Sequence, residues 1–251
     1  MSKQRVLIAG ESWVTHSIHQ KGFDSFTTTS YHEGVGHLRA ALEAAGFDVD
    51  YLPNHLAASE FPSTIGELES YSVVILSDIG ANTLLLHPET FARSVPRPDR
   101  IAAIRDYVEA GGGLLMVGGY LTFAGIEGKA RWGGTPVEEA LPVTIEAADD
   151  RVESPAGATP LVRQPGHPIV AGLPTKWPAL LGYNRVLPKD GTDVVVTVGD
   201  DPLIVAGAFG SGRGAAFTSD CGPHWCPPPF VGWDGYGAMW QQLVGWVGGA
   251  R

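Results

Sequence analysis

Three short, unbroken apolar runs constrain this chain more than anything else in it. They are V-L-I-A (6–9) closed by Gly10, V-V-I-L (73–76) closed by Ser77 and Asp78, and L-L-M-V (114–117) closed by Gly118 and Gly119. Runs of this length without alternation suit strands covered on both faces, as in a parallel sheet, and they are too short for buried helices. Between them, residues 35–45 and 100–110 repeat apolar residues at helical spacing and stop at Gly46 and Gly111. The order strand, helix, strand, helix, strand predicts an α/β, flavodoxin-like, doubly wound and mostly parallel sheet with helices on both faces.

Residues 47–52 read as the second strand and 62–71 as a short helix, and three prolines within 87–98 are read as a break. Toward the C-terminus, residues 194–198, 203–208 and 214–217 read as three more strands. Gly210-Ser211-Gly212 marks a hairpin between the last two, so an antiparallel extension of the sheet is expected. The intervening 149–190 are Pro-rich and without a long helix, an irregular insertion of turns and edge strands. The expectation is one domain over residues 1–251. A final helix over 236–247 carries Trp240 and Trp246, expected in the core or at the interface of a homo-oligomer.

Where each strand ends, a candidate site begins. Residues 11–31, E-S-W-V-T-H-S-I-H-Q-K-G-F-D-S-F-T-T-T-S-Y, lack helical periodicity and read as a long binding loop, the alternative being a surface crossover. Glu11, Ser12, His19, Lys21 and Asp24 are its candidate substrate contacts. Asp78 and Asn82 follow the third strand and face the usual crevice, or else cap the next helix. Gly118, Gly119 and Tyr120 form the turn after the 114–117 run. Their backbone N–H groups could serve an anion or an oxyanion. In T-S-D-C-G-P-H-W (218–225), His224 is the candidate acid or base, Asp220 its orienting carboxylate and Cys221 a nucleophile, with a buried thiol as the alternative for Cys221.

The formal net charge of −10 argues against nucleic acid and anionic membranes as partners and in favour of a small-molecule ligand. Cys221 and Cys226 are the only cysteines and suggest no disulfide framework. Neither a secretory leader nor a membrane span is legible, so a cytoplasmic location is expected. No phosphate-binding G-x-x-x-x-G-K-[ST] and no G-x-G-x-x-G follows the first strand, and no cofactor is expected. His16 and His19, with Glu11 or Asp24 and Asp220 or His224, make a metal a weaker alternative.

The stretches G-E-S-W, H-Q-K-G-F-D-S-F-T-T-T, V-V-I-L-S-D-I-G-A-N-T, G-G-G-L-L-M-V-G-G-Y and A-F-T-S-D-C-G-P-H-W together resemble the class I glutamine amidotransferase-like superfamily, in the subfamily related to ThuA-like proteins. The resemblance implies a nucleophilic cysteine at the Gly119 or Tyr120 position and a later H-x-E. This sequence has neither, so the ordinary thioester route to glutamine hydrolysis is not expected. The ThuA-like relation implies a sugar-derived ligand and maps a G-H motif loosely onto Gly222-Pro223-His224. The combined expectation is a hydrolase or related enzyme on a small polar metabolite. A catalytically silent ligand-binding scaffold and a metal-dependent hydrolase are the alternatives.

Overall fold

A computed structural model describes residues 4–249; most of the polar lead 1–5 lies outside the described residues. In chain order the elements are β1 (Arg5–Gly10), β2 (Ser12–Lys21), β3 (Asp24–Glu33), α1 (Gly36–Ala44), β4 (Asp48–Leu52), α2 (Asn54–Glu60), α3 (Ile65–Leu68), β5 (Val73–Ser77), α4 (Ala81–Leu85), α5 (Pro88–Arg93), α6 (Arg100–Glu109) and β6 (Gly113–Val117). There follow α7 (Pro136–Ala140), β7 (Val143–Thr144), β8 (Arg151–Ala158), β9 (Pro160–Val162), β10 (Leu180–Asn184), β11 (Leu187–Pro188), β12 (Asp193–Val198), β13 (Asp201–Phe209), β14 (Gly212–Phe217), α8 (Pro228–Val231) and α9 (Tyr236–Gly248).

Eight strands form one sheet in the order β4-β1-β5-β6-β14-β13-β12-β9. The first five are parallel, and β13, β12 and β9 extend the sheet antiparallel. This is the flavodoxin-like α/β sheet read from the apolar runs. Alternate residues of each run enter separate cores. Val6, Ile8, Val73, Ile75, Leu115 and Val117 meet Leu38 and Leu42 of α1 and Leu243 and Val247 of α9 on one face. Leu7, Ala9, Val74, Leu76, Leu114 and Met116 meet Leu68 of α3 and Ile104 and Val108 of α6 on the other. Two covered faces explain why the runs carry no polar alternation.

Two sequence readings need correction. Residues 11–31 are not a loop: β2 and β3 pair in register from Ser12↔Glu33 to Lys21↔Asp24 as a two-stranded ribbon. Its side chains alternate between two faces that both stay largely exposed beyond Ser12, so no apolar stripe advertises it. Gly22, at φ 64°, takes a positive-φ turn position that few other residues tolerate. The proline-marked break likewise contains α5, because Pro88 occupies the first helical turn, where its missing N–H costs nothing.

The Pro-rich segment does hold turns and short strands, and it does more than fill an edge. Strands β8 and β10 pair antiparallel as a separate ribbon, with Asn184 opposite Arg151. That pairing sets Asp150, Glu153 and Asn184 beside the turn that follows β6.

Candidate functional site

In a sheet of this strand order, ligands enter the crevice beyond the carboxyl ends of the strands, where the winding direction changes between β1 and β5. A cavity of about 370 Å³ lies there, lined by Glu11, Trp13, Asp78, Tyr120, Leu121, Ile126, Asp220, Pro223 and His224. A larger space of about 750 Å³ touches Asn82, Glu127, Lys129, Arg131 and Glu146. All five of those side chains are solvent-exposed. The smaller cavity holds buried ionisable groups, and it is the candidate site.

Glu11 leaves β1 with φ 50° and is buried. Gly10 permits the bend: a Cβ there would sit 1.9 Å from the Ser77 carbonyl oxygen. The Glu11 N–H donates to that carbonyl (2.7 Å), and its carboxylate accepts a short hydrogen bond from the Ser77 hydroxyl. Asp78 leaves β5 with φ 43° and accepts the Leu121 N–H at 2.7 Å, and the Tyr120 N–H also supports its charge. Asp220 follows β14, is 8% exposed, and accepts the Gly222 N–H at 3.2 Å.

Three carboxyl groups thus converge with no lysine or arginine against them among the described residues. Burial, then the charges of Asp220 and Asp78, drive the Glu11 carboxyl well above the usual range, against hydrogen bonds from Ser77 and Cys221. Burial and the charge of Asp78 push Asp220 up to about 7. Asp78 is raised by burial, opposed by the Leu121 N–H, by His224 and by the Tyr120 N–H. Burial and mutual repulsion favour the protonated forms in this cluster, as expected of closely spaced carboxylates in low dielectric.

His224 is exposed at the cavity mouth, edge-on to the Tyr120 ring (centroids 4.6 Å apart) and stacked on Trp225 (5.5 Å). Its proximity favours the charged form of Asp78, but no hydrogen bond or ion pair joins it to Asp78 or to Asp220 among the described residues. Cys221 is fully buried, 3.9 Å from the Ser77 hydroxyl, and burial and the charges of Glu11 and Asp220 raise its thiol far above its ordinary value. The surroundings disfavour a thiolate, the species a nucleophile needs, and favour the buried-thiol reading. Cys221 and Cys226 are both free.

The backbone donors of Gly118, Gly119, Leu121, Ala124 and Gly125 in the turn after β6 are engaged by the protein, while the buried Thr122 hydroxyl has no partner. The Gly118 N–H donates to the Phe217 carbonyl at 2.8 Å, and the Gly119 N–H to the Asn184 side-chain oxygen at 3.0 Å. Asn184 donates to the Gly119 carbonyl (3.2 Å) and to Asp150 (2.8 Å), and Asp150 accepts the Ala124 and Gly125 N–H groups at 2.8 and 2.9 Å. The Tyr120 hydroxyl donates to Glu153 at 3.1 Å, and the Trp225 indole N–H to the other oxygen of the same carboxylate at 3.0 Å. The expected anion-binding backbone donors are therefore already paired within the protein.

Of the other expected contacts, Ser12 is buried and anchors α2, accepting the Asn54 backbone N–H at 2.8 Å. Asn82 opens toward the larger space, and neither it nor Asp78 caps α4, whose first turn has no side-chain cap. His19, Lys21 and Asp24 stand near the far end of the ribbon and line no part of the candidate cavity. His16 and His19 bond to Thr29 and Thr28 and, three apart on a strand, point to opposite faces, so they cannot share a metal. The closest ligand-type grouping among the described residues is Glu11, Asp220 and Cys221, with candidate atoms within 4.8 Å of one another.

Sequence reasoning missed Trp13, Leu121, Ile126 and Pro223 as lining residues, and Ser77, Asp150 and Asn184 as supports. Ser77 had a signal, a lone hydroxyl closing an apolar run.

A parallel α/β sheet with its cavity at the ends of β1, β5, β6 and β14 is the frame of class I amidotransferase-like proteins. The family model described as "Putative glutamine amidotransferase" matches residues 5–249, and the chain belongs to that family. Among solved structures it is similar to the cytoplasmic protein STM3548 from Salmonella typhimurium, at 45% identity and a TM-score of 0.94, with 96% of this chain and 98% of that one covered. The cytoplasmic protein STM1381 from Salmonella typhimurium LT2 matches at 43% and 0.94, over 97% and 99%. A protein from Parabacteroides merdae ATCC 43184, titled "Putative thua-like protein", shares the fold at 15% identity and a TM-score of 0.61, over 100% and 91%. No curated protein matches the chain. No helix among the described residues is long and apolar enough to cross a membrane.

Proposed function

We propose that this chain is a hydrolase or related acid–base enzyme acting on a small, polar, sugar-derived metabolite, without a cysteine nucleophile and without a cofactor. The observation that carries the reading is the group formed by buried Glu11 and Asp220 and part-buried Asp78, with His224 at the mouth of one cavity. A site that holds protonated and ionised carboxyl groups together at neutral pH can take a proton from water and return one to a leaving group. Rings of Trp13, Tyr120 and His224 beside the carboxyl groups suit the C–H faces and hydroxyls of a sugar. The similar Salmonella proteins are titled cytoplasmic, which supports that location here.

Two alternatives draw on specific observations. Internal pairing of the Gly118, Gly119 and Leu121 N–H groups favours a non-catalytic binding scaffold. The grouping of Glu11, Asp220 and Cys221 favours a metal-dependent hydrolase.

A panel of sugar lactones, keto-sugars, glycosides and glutamine, assayed with metal-analysed protein, separates the three. The enzyme reading expects turnover that falls at least about 100-fold in both His224→Ala and Asp220→Asn. Ligand binding without turnover would leave the scaffold. One equivalent of zinc, manganese or iron, lost in Asp220→Asn, would favour the metal enzyme.

A further inference from the structure

The β2–β3 ribbon stands outside both cores. Beyond Ser12 its residues are exposed apart from a partly covered Ser17, and only its root is tied down, through Ser12 to Asn54 and through Tyr31 against the His55 ring at 5.2 Å. It nevertheless carries large apolar side chains: Phe23 fully exposed at the turn, Ile18 at 78%, and Trp13, Val14, Phe26 and Tyr31 about half-exposed. Both long edges are unpaired among the described residues, since the ribbon forms a sheet of two strands only. A two-stranded ribbon without a covered face is marginal in water, and open apolar edges invite pairing.

We propose that this ribbon is a clasping arm whose partner is a second copy of this chain. Charge argues for that partner. Residues 12–33 contain one lysine against Asp24 and Glu33, so all but one unit of the formal −10 lies on the body. An arm this close to neutral can lie between two acidic bodies with little repulsion, whereas nucleic acid or an anionic membrane would be repelled by them. Area argues the same way. At roughly 150–250 Å² for each aromatic side chain, one arm offers on the order of 500 Å² of apolar surface. Two arms related by a two-fold axis, with the surfaces they cover, reach about 2,000 Å², the range of stable homodimers.

The arm bears apolar groups on both faces. Val14, Ile18 and Tyr31 share one, while Trp13 and Phe26 share the other with His19 and Lys21. Such an arm is gripped rather than laid flat. Trp13 lines the candidate cavity, so the grip begins at its rim. The inference is independent of whether that cavity is catalytic.

Sedimentation velocity on the full chain at micromolar concentration tests it. The expected result is a species of twice the 26.6 kDa chain mass. The double substitution Ile18→Asp with Phe23→Asp should weaken association at least about 100-fold while far-UV circular dichroism and Tm stay unchanged, because neither side chain packs in the protomer. As a second readout, a photocrosslinker at position 23 should yield an intermolecular peptide from another copy of this chain. A monomeric wild type, a double variant that remains dimeric, or crosslinks confined to the same protomer would overturn the proposal.

Discussion

The turns after β6 and after β14 leave the sheet side by side, since the two strands pair in parallel, yet they are built on opposite principles. After β6 the backbone polar groups of Gly118 and Gly119 and the N–H groups of Leu121, Ala124 and Gly125 meet partners from Phe217, Asn184, Asp78 and Asp150. After β14, Asp220 is buried with a backbone N–H for support and another carboxylate for a neighbour. The first turn has these backbone groups paired, with only the buried Thr122 hydroxyl left without a partner among its described side chains, and the second is strained electrostatically. In this chain the glycine turn after β6 does structural work, and the ionisable groups of the candidate cavity stand past the ends of β1, β5 and β14.

The comparison is broken most severely at Gly118. A Cβ there would lie 2.1 Å from the Thr218 carbonyl oxygen and 2.8 Å from the Asn184 side-chain oxygen, with rigid backbone on one side. Gly118→Ala is expected to cost more than about 4 kcal/mol, enough to leave little folded protein. A cooperative urea transition close to that of the wild type would show that the two turns are not packed this tightly.

The next largest effect concerns Asp150, 4% exposed and bonded to the Ala124 and Gly125 N–H groups and to Asn184. Asp150→Ala removes three partners at once and leaves two backbone donors unanswered. The expected loss is roughly 3 kcal/mol, read as a lower urea midpoint at unchanged m-value. A loss below about 1 kcal/mol would mean that water replaces the carboxylate and that the turn is less self-contained than described.

How much of this was legible follows the same division. The sheet was readable because β1, β5 and β6 are covered on both faces, which forces unbroken apolar runs; Glu11 and Asp78 were readable because each directly follows such a strand, and Asp220 because it stands in the polar segment after β14. The brace was not. Asp150 and Asn184 lie 34 residues apart, near the two ends of a Pro-rich segment, and are joined by a ribbon whose β8 strand is mostly part-buried or exposed and shows no clean alternation. Nothing local pairs them. The β2–β3 ribbon was illegible for a related reason: without a core to face, it has no apolar period, and only Gly22 and the β-branched Thr27-Thr28-Thr29 run hint at a hairpin.

The smallest of the three effects carries the most information about the second turn. Asp220 has its pKa raised to about 7 from a reference of 3.8, so the folded state holds its proton after the unfolded state has released it. The sign follows from linkage: below about pH 4 both states are protonated and the group imposes no penalty. As pH rises toward 7 the folded protein must keep a proton the unfolded chain gives up, and above that the penalty is complete. Asp220→Asn keeps the shape and removes the ionisation. The variant should match the wild type near pH 4 and exceed it in stability by roughly 2 kcal/mol at pH 8, part of the gain being shared with Glu11 and Asp78, whose charges no longer meet a third. Urea denaturation of both proteins from pH 4 to pH 8 measures the difference. If the two stability curves stay parallel, Asp220 is ionised across that range and the carboxyl cluster is not the proton-holding site described. If they diverge with rising pH, the strain in the turn after β14 is electrostatic, and the protein keeps it although removing it would raise stability.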